Sequence, residues 1–112
     1  LAEDAGPGEE AGWDELPERG RVQLRGYVAA VTYPSSRQAP VFSAVLAPDL
    51  APPGGRKRPV ERVKLVWLGQ RRVPGIGAGG WLRCRGMLLT EGGKRVMYDP
   101  SYEILEAEED NA

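Results

Sequence analysis

Apolar residues in the middle of this chain recur at every second position, and no stretch shows the spacing of an amphipathic helix. In RVQLRGYVAAVTY, Arg21 to Tyr33, Val22, Leu24, Val28 and Ala30 fall on one face. Arg21, Gln23, Arg25 and Tyr27 fall on the other. A strand sends successive side chains to opposite sides of its sheet, so a half-buried strand needs this alternation. Gly26 interrupts the segment, which suits a bulge or sharp coil where a strand bends around a small barrel.

The pattern returns along the chain. VFSAVLA, Val41 to Ala47, makes a second strand with Phe42, Ala44 and Leu46 in phase. VERVKLVWL, Val60 to Leu68, makes a third, with Val63, Leu65 and Trp67 opposite Arg62, Lys64 and Val66. In WLRCRGMLLT, Trp81 to Thr90, Leu82, Cys84, Gly86 and Leu88 alternate with Trp81, Arg83, Arg85 and Met87. The fifth strand is RVMY, continuing past Pro100 as SYEIL. Turn formers fill the connections. Pro34 and Pro40 punctuate PSSRQAP, Pro48 to Pro59 reads as a flexible loop, and Gly92-Gly93 is a hairpin turn. These strands, with no helix required, predict an all-β fold, a small five-stranded barrel.

A chain of 112 residues makes one domain. Residues 1–15 and 107–112 hold little to bury and are expected as acidic flexible tails, leaving 16–106 to fold. Trp13 is the one large apolar side chain in the first tail; it either docks on the domain or stays exposed.

The net charge of −1 hides an asymmetry. Residues 1–20 carry seven acids and one arginine, and residues 103–112 carry five acids and no base. Between them stand fourteen Lys or Arg against Asp49, Glu61, Glu91 and Asp99. A basic domain favours polyanions such as nucleic acid, and acidic ends can compete for the same surface. The alternative is that the cations serve only solubility.

VPGIGAGGW, Val73 to Trp81, places Gly75, Gly77 and Gly80 at the G-x-G-x-x-G spacing of a dinucleotide site. That site needs a helix after the glycines, because the helix N-terminus supplies the amides that hold the pyrophosphate. Here WLRCRGMLL follows, with a period of two, and no acid stands about twenty residues downstream to meet a ribose. The segment therefore reads as a connection between strands, and no cofactor is expected.

With RVQLRGYVAAV, RVKLVWLG, PGIGAGGWLRCRGMLL and MYDPSYEIL in place, the sequence resembles the OB-fold nucleic-acid-binding family. The phrase P-G-x-x-x-G-x-x-L-x-x-x-G that leads into strand four of such domains is matched by Pro74, Gly75, Gly79, Leu82 and Gly86. Asp99-Pro100-Ser101-Tyr102-Glu103-Ile104 is similar to the close of the wedge domain of the RecG DNA helicase. The likeness spans roughly Leu16 to Glu106 and looks most like small stand-alone OB-fold proteins of actinobacteria. One departure is that QRRVPGIGAGG is too short and glycine-rich for the helix many OB-folds place between strands three and four. A single turn around Val73 is the most it allows.

The resemblance implies a single-stranded DNA or RNA ligand on strands two and three, flanked by the loops joining strands one to two and four to five. Those loops carry Tyr33, Arg37, Lys94 and Arg95. The face presents Arg62 and Lys64, with Arg56, Lys57, Arg58, Arg71 and Arg72 nearby. Tyr33 at a loop entrance and Tyr98 in phase with Val96 are stacking candidates; Trp67 and Phe42 read as core, and Trp81 as outer face or barrel-end cover. Few exposed aromatics make the expected binding weak and mainly electrostatic, about 10⁻⁴ to 10⁻⁶ M.

Catalysis is not expected. The chain has no histidine, no metal-ligand cluster, and a single cysteine, Cys84, on the inward face of its strand. One cysteine also fits a reducing cytoplasm, and no run of about 20 apolar residues exists to span a membrane. The competing expectation is a protein-interaction module, since a fold alone does not fix function.

Overall fold

A computed structural model describes residues 10–48 and 61–106. The strands are β1 (Gly20–Thr32), β2 (Val41–Ala47), β3 (Val63–Leu68), β4 (Trp81–Glu91), β5 (Lys94–Tyr98) and β6 (Ser101–Leu105). β1, β2 and β3 form an antiparallel meander, β3 pairs in parallel with β5, β5 pairs with β4, and β4 returns to β1. The sheet thereby closes on itself as a mixed five-stranded barrel of the OB-fold type, and closure leaves none of these five strands as a continuous free edge.

The interior follows from the alternation. Leu24, Val28, Phe42, Leu46, Val63, Leu65, Leu88 and Met97 are fully buried, and Leu82 and Cys84 nearly so. Phe42 lies opposite Trp67, with ring centroids 5.8 Å apart, and the buried indole N–H donates to the Pro100 carbonyl at 3.1 Å. Both aromatics are core.

Two bends depart from the sequence expectation. The bulge in β1 lies between Val28 and Ala30, not at Gly26. The extra residue reverses the phase, so Val31 turns toward Ala44 while Ala30 is exposed opposite Val45. Gly26 serves close approach instead: a Cβ there would lie 2.7 Å from the Ala47 carbonyl oxygen and 2.7 Å from Leu46 Cγ. The second bend splits the fifth strand into β5 and β6. Leu88 faces Met97 and Arg85 faces Ser101, so one residue more is spent on the β5–β6 side. Asp99 absorbs it at φ 49°, donating its N–H to the Val66 carbonyl at 2.6 Å and accepting from Leu68 N–H at 2.9 Å. Asp is among the few non-glycine residues that tolerate this conformation.

No helix joins β3 to β4. Pro74 lacks a donor, and Gly75 and Gly79 sit at φ 84° and 98°, incompatible with a right-handed helix. One turn closed by Ile76 N–H to the Val73 carbonyl at 3.3 Å buries Val73 and Ile76 against the core. At the hairpin, Gly92 and Gly93 both have positive φ, 59° and 79°, as a two-residue turn with the correct twist requires.

Part of the expected N-terminal tail is docked. Trp13–Glu15 form one 3-10 turn, and Trp13 packs against the core while its indole N–H donates to the Arg25 carbonyl at 2.8 Å. Ala11 N–H donates to the Gln23 carbonyl at 2.7 Å. β2 pairs with β1 only from Tyr27 onward, so these bonds satisfy carbonyls on the stretch of β1 that β2 does not reach. The boundary of the folded part thus moves to residue 10 at least; 1–9 and 107–112 lie outside the described residues.

Candidate nucleic-acid interface

The parallel register of β3 and β5 places Lys64 beside Val96 and Val66 beside Tyr98, while Val45 of β2 faces Lys64. By alternation these residues, with Arg62, Leu68 and Lys94, point outward from the barrel. The result is a face with two ends. At one end Arg62, Lys64 and Lys94 line a groove of about 460 Å³ beside the Gly92-Gly93 turn, with Val45 and one acid, Glu61, also in its lining. At the other, Val41, Leu68 and Tyr98 are exposed. The Tyr98 hydroxyl donates to Glu91 Oε1 at 2.9 Å, which holds the phenol along the sheet surface and raises its pKa.

Arg95 borders the same groove, yet its guanidinium is committed elsewhere. Nε donates to the Pro17 carbonyl at 3.2 Å and Nη2 to the Leu16 carbonyl at 3.0 Å, with Glu61 3.5 Å from Nη1. Arg95 fastens the N-terminal segment to the barrel. The Arg56-Lys57-Arg58 triplet falls outside the described residues.

Tyr33, Arg71 and Arg72 gather near the β1–β2 connection. Arg71 is structural: it donates to the Ser35 carbonyl at 2.8 Å and the Gln38 carbonyl at 3.0 Å, bracing the loop that carries exposed Arg37. Tyr33 is 52% exposed, its ring 5.2 Å from Phe42, and it shares a cavity of about 500 Å³ with Arg72 and the Val73–Gly77 turn. Among the described residues, the expected site residues fall at two places, the groove beside the Gly92-Gly93 turn and the cavity at the β1–β2 connection.

A third group was not among the expected site residues. β1 and β4 pair so that Tyr27 faces Trp81, Arg25 faces Arg83, Gln23 faces Arg85 and Arg21 faces Met87. The alternation of each strand put these residues on an outer face, but only the register brings the two rows together. Tyr27 and Trp81 meet edge-to-face at 5.6 Å. Glu10 reaches both Arg25, at 3.5 Å, and Arg83, at 2.8 Å, and Glu103 from β6 meets Arg83 at 2.8 Å. These bonds, the one from Glu10 foremost, raise the Arg83 pKa further. Among the described residues, cations thus stand on both the β3–β5 face and the β1–β4 face.

Burial pushes the Cys84 thiol up to about 12, which keeps it neutral and unreactive at ordinary pH. Among the described residues no group of three or more Cys, Asp or Glu is arranged to hold a metal ion. No helix among them is long and apolar enough to cross a membrane. No protein-family model, curated protein or solved structure matches the chain.

Proposed function

We propose that this barrel is a non-enzymatic binder of single-stranded nucleic acid, working by weak, mainly electrostatic contacts, in a reducing cytoplasm. The observation that carries the reading is the groove where Arg62, Lys64 and Lys94 converge on the outer face of β3 and the β4–β5 turn. Proteins that bind single strands pair such a basic track with an aromatic platform. Tyr98, in the row next to Lys64 and Val96, supplies one aromatic side chain on the same face. A single platform contributes little base preference, so phosphate neutralisation carries the affinity. This is the mode expected from the OB-fold resemblance, and the buried Cys84 thiol fits both a reducing compartment and the absence of thiol chemistry.

The test is binding of labelled oligo-dT across a salt series. Three phosphate contacts at the groove give a slope of log K against log salt of about −2 for a single strand. Replacing Arg62, Lys64 and Lys94 together by alanine should remove most of that slope. No binding at about 100 μM protein in low salt, where even non-specific binders associate, overturns the reading.

A second reading rests on the other end of the face. Leu68 is 52% exposed beside Val41 and Tyr98, an apolar patch suited to a protein partner. Stoichiometric recovery of one protein after nuclease treatment would favour that module.

A further inference from the structure

We propose that the outer face of β1 and β4 is a second phosphate-binding surface, and that Glu10 holds it closed by occupying the arginines in place of a nucleic-acid backbone. The inference rests on the single-strand reading above and adds its regulation. It starts from an electrostatic cost. Arg25 and Arg83 are directly opposite each other on adjacent antiparallel strands, so their Cβ atoms are about 5 Å apart, where like charges destabilise a sheet. Arg85 lies two residues along β4 from Arg83, roughly 7 Å away, and Arg21 lies further along β1. The pairing sets a ladder of like charge on this face.

What offsets it is an anion. One carboxylate, Glu10, sits between Arg25 and Arg83, and Glu103 takes a second edge of the Arg83 guanidinium. The planar guanidinium donates to carboxylate and phosphate oxygens with the same geometry, so the positions of these carboxylate oxygens mark where phosphate oxygens fit. Arg85 remains exposed beside them. At the end of the ladder the Tyr27–Trp81 pair lies on the same face, giving cations and aromatics together as single-strand surfaces use them.

Glu10 is held there by the chain rather than by its own pairing. The Ala11 and Trp13 bonds to the backbone of β1 tether the segment, and Trp13 anchors it in the core. The carboxylate is thereby presented at high effective concentration, while its ion pairs are partly exposed and weak enough to exchange. A phosphodiester strand competes with a tethered carboxylate, and the N-terminal segment sets how much of the basic surface is open.

The experiment uses the full chain and oligo-dT at low salt. Glu10→Gln removes the carboxylate shared by Arg25 and Arg83, leaves Glu103 and both tethers in place, and its melting temperature reports that the fold persists. Affinity should rise about two- to fivefold, the worth of an exposed ion pair. The salt slope should steepen by roughly 0.7 to 1.4, one or two further phosphates. Glu18→Gln, removing another exposed acid of the N-terminal segment, should change neither. The gain should survive when Arg62, Lys64 and Lys94 are alanine, and vanish when Arg83 and Arg85 are glutamine. If the parent protein binds and Glu10→Gln binds no better, the inference is overturned and the groove reading stands. An equal gain in Glu18→Gln, or loss of the gain in the groove variant, also overturns it. Binding by Glu10→Gln with none by the parent supports this face and removes the groove; no binding by either removes both.

Discussion

Gly26→Ala tests how tightly the barrel closes around its N-terminal segment. A Cβ at Gly26 would lie 2.7 Å from the Ala47 carbonyl oxygen, 2.7 Å from Leu46 Cγ and 2.9 Å from the Trp13 ring. Even a favourable carbon–oxygen contact needs roughly 3.3 Å, so the methyl must displace its neighbours by about half an ångström. Neither principal neighbour yields easily. The oxygen belongs to the backbone at the position paired with Tyr27, and Leu46 is fully buried. Overpacking of this kind costs typically about 1–3 kcal/mol, against roughly 0.4–1 kcal/mol regained because alanine restricts the unfolded chain. The net expectation is about 1.3 kcal/mol of destabilisation, or a melting temperature lower by roughly 5–10 °C for a domain of this size. Urea unfolding followed by tryptophan fluorescence measures it, with an unchanged slope showing that the folded state keeps its compactness. Gly77→Ala is the control: nothing lies within 4 Å of its Cβ position and its φ is not positive, so it should be neutral or stabilising by up to about 1 kcal/mol. If Gly26→Ala is as neutral as Gly77→Ala, the close approach does not govern the site and the reasoning fails.

Other expected outcomes follow from single residues. The buried Cys84 thiol, raised from 9.0 to about 12, favours the folded state in its neutral form. Its contribution is therefore complete below about pH 9 and lost as pH rises toward 12, at about 1.4 kcal/mol per unit. The stability gap between the parent and Cys84→Ala should narrow by about 1 kcal/mol between pH 9 and pH 10; a gap indifferent to pH counts against the assignment. Asp99→Ala forfeits the bond from Leu68 N–H and puts alanine at φ 49°, together about 2 kcal/mol by chemical unfolding. Asp99→Gly should recover about half of that, and a glycine variant no better than alanine would show that the backbone is not under constraint there.

The chain's alternation was sufficient to determine an all-β barrel, because a half-buried strand has only one period and closure requires a polar outer face. The Gly92-Gly93 turn, the inward direction of Cys84 and the lack of a helix after Gly80 were legible for the same local reason. Register was not. Where Ala29 bulges, where Asp99 breaks the fifth strand, and which arginines face each other depend on pairings between residues far apart in sequence, which no local pattern encodes. The roles of single cations divide along this line. Arg62, Lys64 and Lys94 point outward as their phase dictates, whereas Arg71 and Arg95 are drawn to backbone carbonyls that only the folded loops bring within reach. The acidic character of the N-terminal segment is written in its composition. That Glu10 lands between Arg25 and Arg83 was decided by tertiary structure, because Trp13 has a core to dock into and β1 has carbonyls that β2 leaves unmet.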